Sequence, residues 1–303
     1  MAVEPDQAPG VWDRATALRT AIIPSAEVER MEPPTAEEIP LLGEAVFDMK
    51  LLAELPDGGF SQALSPLVQA YAAWIDGQEA QLAAPPPDLA AYVQNGVQAV
   101  ADCRETLARI AAGIAVLDQD PQAAEAFRLA NRAMHRQRIR SIYAREVRQQ
   151  KQPSLDAIDV AGNRSWRPFQ LAFVLLNLPA LANPLHPERS NSNAAIADLL
   201  WFPTGGGKTE AYLGVAAFTM AMRRLQGTLG GYSGLAGVAV LMRYTLRLLT
   251  LQQFQRATTL MCACELIRQE DPQKWGTEPF RIGLWVGQSS TPNWTEDLSL
   301  IHI

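Results

Sequence analysis

The chain has 303 residues, 48% of them hydrophobic and 19% charged, a balance that supports a sizeable folded core and excludes a wholly disordered protein. Its formal net charge of −6 argues against a protein that coats nucleic acid over its whole surface, although it allows a local basic surface. The start is acidic and polar, and the longest apolar stretch is shorter than the ~20 residues that a bilayer crossing needs. These features predict a cytoplasmic protein without membrane contact.

Two regions of different character come first along the chain. Residues 1–60 contain twelve Asp/Glu, four Lys/Arg and several prolines, which predicts an acidic peripheral segment. Residues 61–155 form a predicted helical region, interrupted by the proline-rich sequence APPPD. Within it, apolar residues recur at three- and four-residue steps between Val93 and Leu117, the pattern of an amphipathic helix.

The last helix of this region is unusually basic. Asp120 is its predicted N-cap, Pro121 lies in its first turn, and the helix is expected to run to about Gln149. One interpretation is a contact with the phosphate backbone of nucleic acid. The interpretation that we favour is a solvated face that pairs with the acidic N-terminal segment. Against the single acid Glu146, the segment contains eight basic residues: Arg128, Arg132, Arg136, Arg138, Arg140, Arg145, Arg148 and Lys151.

From Trp166 onward, the sequence alternates between helical and extended patterns. The apolar sequences ADLLWF, VAVLMRY and RIGLWVG are each predicted to be a strand, with helices between them. Strands that alternate with helices indicate a parallel sheet with crossover helices. We therefore expect residues 156–303 to form an α/β domain.

A glycine-rich loop follows the first of these predicted strands and immediately precedes a helix. It reads Pro203-Thr204-Gly205-Gly206-Gly207-Lys208-Thr209, and a strand, such a loop and a helix together are typical of phosphate binding. Consecutive glycines let several N–H groups converge on an anion, and the helix N-terminus adds partial positive charge. Lys208 is predicted to reach the β- and γ-phosphates and Thr209 to ligate Mg²⁺, which makes ATP and Mg²⁺ the expected cofactors.

The loop departs from the general phosphate-binding pattern at one position. That pattern has glycine five residues before Gly207, where this chain has Phe202. A glycine-rich turn that serves packing alone is the alternative, but it does not account for Gly-Lys-Thr at the start of a helix. We therefore predict nucleotide binding.

The sequence Pro-Thr-Gly-x-Gly-Lys-Thr resembles the first motif of superfamily 2 helicases and translocases. Upstream, WRPFQLAF resembles the region in which that family recognises adenine with an aromatic residue and a glutamine. The resemblance implies a partial RecA-like domain. It also implies a set of nucleotide contacts: Phe169, Gln170, Pro203, Thr204, Gly205, Gly206, Gly207, Lys208, Thr209 and Glu210.

A second segment, RYTLRLLTLQQFQR, resembles the family's next motif, Thr-Arg-x-Leu-x-x-Gln. It departs from that motif by the extra Leu246. In the family this element contacts the backbone of the bound strand, so the resemblance implies nucleic-acid contacts at Arg243, Thr245, Arg247 and Gln252. The alternative for these arginines is a solvated corner between a strand and a helix.

Several whole phrases, among them AFRLANRAM and WRPFQLAFVLLNLP, resemble the helicase family of the DISARM anti-phage system. They lie between about residues 125 and 287. The resemblance implies an ATP-dependent DNA helicase or translocase in defence against phage, acting on DNA and alongside other proteins of the defence system. The alternatives are the translocating subunit of a restriction-type system and a non-catalytic module that binds nucleotide or DNA.

Two parts of such a motor are expected to be missing. Members of the family need an Asp-Glu-x-x motif and a second RecA-like domain for hydrolysis, and after Gly287 the sequence offers only Glu296-Asp297, in reverse order. The last six residues, Leu298 to Ile303, can be encoded by a string that resembles a transposase adapter, and the alternative is a natural apolar C-terminal strand. We therefore expect an N-terminal fragment that binds ATP but does not hydrolyse it efficiently.

Overall fold

The computed structural model describes residues 34–87, 89–191, 193–202, 206–244 and 247–285, without the side chains of residues 247–250. Helices hold 68% of the described residues. The sheet content of this part of the chain is one two-stranded antiparallel hairpin. The protein is therefore built here by packing helix against helix.

Twelve α-helices and the hairpin follow one another along the described ranges. The hairpin pairs β1 (Thr228–Leu229) with β2 (Tyr232–Ser233), and a short 3₁₀ turn spans Ala90–Tyr92. The helices are α1 (Pro40–Glu44), α2 (Met49–Glu54), α3 (Phe60–Ala83), α4 (Val93–Gln119), α5 (Pro121–Arg148), α6 (Leu155–Ile158), α7 (Ala161–Arg164), α8 (Pro168–Ala182), α9 (Pro187–Ser190), α10 (Lys208–Gln226), α11 (Arg247–Glu270) and α12 (Pro272–Trp275).

The long helices lie where the sequence pattern predicts them. The start of α5 is confirmed in detail, because the Asp120 carboxylate accepts hydrogen bonds from the backbone N–H groups of Gln122, at 2.8 Å, and Ala123, at 3.2 Å. These bonds satisfy two of the donors that a helix N-terminus leaves without an intrahelical partner. None of the described helices is long and apolar enough to traverse a bilayer.

Helix α5 is the centre of the packing. It lies against α2, α4, α10 and α11, and α8 packs between α4 and α10. The helices before and after residue 155 therefore share one hydrophobic core. At the centre of this core, the buried indole of Trp166 donates to the Asn131 side chain of α5 at 2.7 Å. A Cβ on Gly214 of α10 would approach the same indole to 2.8 Å, so glycine allows this close contact.

The predicted partial RecA-like parallel sheet is wrong for the described residues. The segments 197–202, 238–244 and 281–285, predicted to be strands, form no ladder of hydrogen bonds there. Several of their large apolar side chains lie in solvent: Leu199 is 85% exposed and Leu241 is 85% exposed. In place of a sheet, α5 fills the space between α10 and α11.

The physical reason is that a strand needs a partner that its own sequence does not specify. An apolar, β-branched or aromatic run predicts a surface that fits a sheet, but pairing depends on distant residues. In the described structure the apolar faces of α8, α10 and α11 bury against other helices. They require no sheet to cover them.

The first two-thirds of α5 agree in part with the favoured interpretation of its charge, since one pair with the acidic segment forms, but the face is half-buried and not solvated. Its arginines there are held by protein groups, and one of them, Arg128, pairs with Asp57 of the acidic N-terminal segment at 2.6 Å. Others pair with carboxylates from the later helices, including Glu270. This part of α5 is half-buried and ion-paired, and the exposed residues lie toward its C-terminal end, at Arg140, Arg145 and Arg148.

Candidate nucleotide-binding loop

The end of the glycine-rich loop opens helix α10 directly. Lys208 and Thr209 are its first two residues, and Gly207 is its N-cap, with φ of 93° and ψ of 29°. This left-handed conformation is one that glycine adopts without steric penalty. Within the described residues, no side chain caps α10. The N–H group of Glu210 donates to the carbonyl oxygen of Gly207 at 3.3 Å, so among the described residues the N–H groups of Lys208 and Thr209 are the ones available for a ligand.

Donors from α8 and its N-cap hold the carbonyl groups of this loop. The Arg167 guanidinium donates to the carbonyl oxygen of Gly206 at 2.7 Å, and the Gln170 amide donates to that of Gly207 at 2.7 Å. In a trans peptide group the carbonyl and the following N–H point in opposite directions. The N–H groups of Gly207 and Lys208 therefore face away from Arg167 and Gln170, respectively.

Gly207 is also required by the crowding around it. A Cβ at this position would lie 2.6 Å from the Gln170 side-chain nitrogen and 3.4 Å from the Glu210 carboxylate. Both the backbone angles and the close approach of Gln170 therefore favour glycine. Lys208 folds back here, and its ammonium group donates to the carbonyl oxygen of Phe202.

The two residues predicted to recognise adenine lie beside the loop. The ring of Phe169 stacks on that of Phe202, with centroids 4.1 Å apart and an interplanar angle of 11°. Phe202, the departure from the general phosphate-binding pattern, thus has a packing role. Gln170 is buried, and its side-chain oxygen accepts from the backbone N–H of Arg167 at 2.8 Å. Its amide is therefore engaged with the protein at both ends.

Glu210, in the first turn of α10, is the buried carboxylate of the site. One of its oxygens, Oε1, accepts from the guanidinium of Arg256 on α11 and lies 3.7 Å from Nη1 of Arg138 on α5. The other, Oε2, is buried and has no hydrogen-bond partner within the described part of the chain. We call Glu210, Arg138 and Arg256 the loop cluster.

The predicted nucleic-acid contacts are only partly described. Arg243 is exposed, and Gln252 is exposed on the second turn of α11. Arg247 is the first residue of α11, and Thr245 falls outside the described ranges. Tyr244 follows Arg243 in the sequence. Burial raises the pKa of Tyr244, and the positive charge of Arg256 offsets part of that rise.

Other predicted features also fall outside the described residues. They are Pro203, Thr204 and Gly205 of the loop, Glu296 and Asp297, and the final segment from Leu298 to Ile303. Thr209, the predicted Mg²⁺ ligand, is half-buried in the first turn of α10. The described part of the predicted site thus comprises its second half and the side chains that support it.

Sequence reasoning missed three of the side chains that shape this site. Arg167 stands within the phrase WRPFQ and Arg256 within QQFQRA, but nothing in either phrase indicates which group the arginine contacts. Arg138 belongs to the basic helix, where it is one of eight similar residues. A local signal existed for Arg167 alone, because it directly precedes Pro168 at the start of α8 and so occupies the N-cap.

No protein-family model matches the chain. The chain is similar to the DISARM protein DrmA of Bacillus paralicheniformis (strain ATCC 9945a / NCIMB 11709 / CD-2), with 39% identity over 291 residues. The match covers 94% of this chain and 25% of that protein, so the chain spans about a quarter of the length of the curated relative. Identity at this level over nearly the whole chain shows that it is related to a DISARM protein.

Proposed function

We propose that this chain contributes the nucleotide-binding part of an ATP-dependent DNA helicase or translocase that acts in DISARM anti-phage defence. The defence role rests on the similarity to DrmA, and the nucleotide role rests on the loop. Because the chain spans a quarter of its relative, the proposal for a motor concerns the whole protein. The other proteins of such a defence system are its proposed partners.

One observation carries the nucleotide proposal: the positive-φ glycine cap of α10, with its carbonyl tied back by Gln170 and a lysine directly after it. This arrangement provides backbone N–H donors, the positive end of a 19-residue helix and a flexible cation in one place. Polyphosphate is the ligand that uses all three. The ATP-bound form would require Lys208 to leave the Phe202 carbonyl and turn toward the phosphates.

The first turn of α10 also fits a divalent cation bound with the nucleotide. The Thr209 hydroxyl lies in the first turn of α10 and is half-buried, and it would serve as an oxygen ligand for Mg²⁺. Mg²⁺ would neutralise phosphate charge beside the loop. The chain's own contribution is to position that hydroxyl next to Lys208.

DNA is the proposed substrate, and the exposed segment before α11 is its proposed contact. Arg243 and Gln252 both face solvent, as backbone-contacting residues must. Arginine suits phosphate because its guanidinium donates two parallel hydrogen bonds. The overall charge of −6 makes a local contact more reasonable than a coat of DNA over the whole surface.

Substitution of Lys208 tests the nucleotide proposal. We expect Lys208→Ala to weaken binding of a fluorescent ATP analogue by about tenfold or more, because it removes a charge-assisted hydrogen bond to phosphate. Lys274→Ala is the matched control, since Lys274 pairs with Glu125 at 2.5 Å on α5. ATP affinity that is unchanged in Lys208→Ala, or reduced equally in both variants, would overturn the assignment.

A further inference from the structure

The loop cluster places a carboxylate directly against the proposed phosphate site. Glu210 is 9% exposed, and its Oε2 lies 3.4 Å from the position that a Cβ on Gly207 would occupy. A polyphosphate held by the first N–H groups of α10 would therefore meet a negative group as its neighbour. Like charges at short range in a partly buried site repel strongly unless a cation lies between them.

The arrangement of the cluster is also incomplete as a structural ion pair. Both arginines approach Oε1, whereas the buried Oε2 has no partner within the described residues. Buried polar atoms in folded proteins are nearly always hydrogen-bonded, so an unpartnered one requires an explanation. The ion pair around Glu210 is therefore less complete than a purely structural one would be.

The two arginines differ in their freedom to move. The Nε of Arg138 donates to the carbonyl oxygen of Asn163 at 2.6 Å, which anchors this side chain independently of Glu210. Arg256 has Glu210 as its one hydrogen-bond partner among the described residues, and its side chain is 35% exposed. Arg256 can therefore leave Glu210 while Arg138 remains as the counter-charge.

We propose that Arg256 is a ligand of the terminal phosphate of a bound nucleoside triphosphate, held in place by Glu210 until the nucleotide arrives. The Glu210 carboxylate lies between Arg256 and the loop. A change of the Arg256 rotamer would move its guanidinium from this carboxylate to a bound phosphate. Arg256 then lies between the phosphate and Glu210 and screens their repulsion. A diphosphate lacks the group that Arg256 would contact, so this residue distinguishes ATP from ADP.

This inference rests on the proposed nucleotide function and adds the residue that selects triphosphate. Arg256 lies on α11, whose preceding segment includes Arg243.

The test compares ATP and ADP binding, each with Mg²⁺, in the 303-residue chain and its variants. We expect Arg256→Ala to lower ATP affinity by about tenfold to a hundredfold and to leave ADP affinity within about twofold, because one charged hydrogen-bond pair is removed from the triphosphate complex alone. Arg136→Ala is the control, since Arg136 pairs with Glu270, which lies on α11 as Arg256 does. Equal losses for both nucleotides, or no loss, would overturn the inference.

A second variant keeps the test decisive if Arg256→Ala fails to fold. Glu210→Gln retains the size of the side chain but removes the charge that holds Arg256, so we expect ATP affinity to rise by roughly tenfold relative to ADP affinity. An unchanged ratio of the two affinities would overturn the inference. The outcome for Lys208→Ala separates the two proposals: loss of both nucleotides there with no effect of Arg256→Ala refutes the triphosphate ligand alone.

Discussion

Two clusters with the same composition join α5 to its neighbours, and each contains two arginines and one glutamate. The far cluster lies at the C-terminal end of α11, about 21 Å along that helix from Arg256, given a rise of 1.5 Å per residue. Its carboxylate is satisfied on both oxygens, because Arg136 donates to Oε1 at 2.7 Å and Arg132 donates to Oε2. Its members are Glu270, Arg132 and Arg136.

The loop cluster uses the same groups with the opposite result. Glu270 is 43% exposed at its side chain and fully paired, whereas the side chain of Glu210 is 11% exposed and one oxygen has no partner within the described residues. An exposed pair with complete hydrogen bonding contributes little to stability and responds to salt. A buried pair with incomplete hydrogen bonding lowers the free energy of unfolding, and a functional role would account for its presence.

Burial and hydrogen bonding, and not residue type, therefore distinguish the loop cluster from the far cluster. Both clusters draw on the same basic helix. The one beside the glycine-rich loop carries the unsatisfied atom, and the one distant from it does not. This is the distribution expected if Arg256 exchanges its partner when a nucleotide binds and the far cluster does not.

A double-mutant cycle on each cluster gives the largest expected contrast. We expect the coupling free energy between Glu210→Gln and Arg256→Gln to be about 2 kcal/mol, because a largely buried carboxylate is involved but its partner is partly exposed. For Glu270→Gln and Arg136→Gln we expect less than about 1 kcal/mol. Urea unfolding of the single and double variants measures both. Equal coupling energies in the two clusters would remove the distinction between them.

Removal of positive charge near each cluster tests which end of α11 contacts DNA. We expect Arg243→Gln with Arg247→Gln to lower the dependence of log affinity for duplex DNA on log salt by about 1.8, or about 0.9 for each arginine that binds a phosphate. Arg132→Gln with Arg136→Gln removes the same charge at the far cluster, and we expect the salt dependence to be unchanged. Anisotropy titrations at several salt concentrations measure this. Equal changes in both pairs would return the first pair to a solvated corner.

The helices could be predicted from the sequence because their signals are local. Asp120 and Pro121 mark the start of α5, and the apolar period between Val93 and Leu117 defines α4. The strands could not be predicted in the same way. Trp201 and Trp285 lie in apolar runs that suit a sheet, yet they are 74% and 87% exposed, because pairing depends on segments far away in the chain.

The residues of the candidate site also fall into two groups, those with a local signal in the sequence and those without one. Gly207 and Lys208 were predicted because their order and their place at a helix start carry the chemistry within a few residues. Arg256 and Arg138 were not, because they reach Glu210 from helices that are distant in sequence. Nothing in an isolated arginine indicates which carboxylate it pairs with, so the loop cluster required the packing of α5, α10 and α11.

The smallest of these expected effects is the change that low pH causes in the contribution of the far cluster to the free energy of unfolding. Burial alone would raise the pKa of Glu270, but hydrogen bonds and charge interactions with Arg136 and Arg132 outweigh it and hold the pKa below the usual 4.5. A carboxylate whose pKa is lowered by folding stabilises the protein above pH 4.5, and this stabilisation is lost as the pH falls through the folded-state value.

We therefore expect Glu270→Gln to reduce the loss of unfolding free energy between pH 6 and pH 3.5 by less than about 1 kcal/mol, since the side chain is 43% exposed and solvent screens it. Urea unfolding at the two pH values measures the difference. Glu265, whose pKa Arg268 lowers to about 2, is present in both proteins, so its larger contribution cancels. If Glu270→Gln left the acid response unchanged, the far cluster would contribute nothing to stability. The difference between the far cluster and the loop cluster would then rest on the unpartnered Oε2 of Glu210 alone.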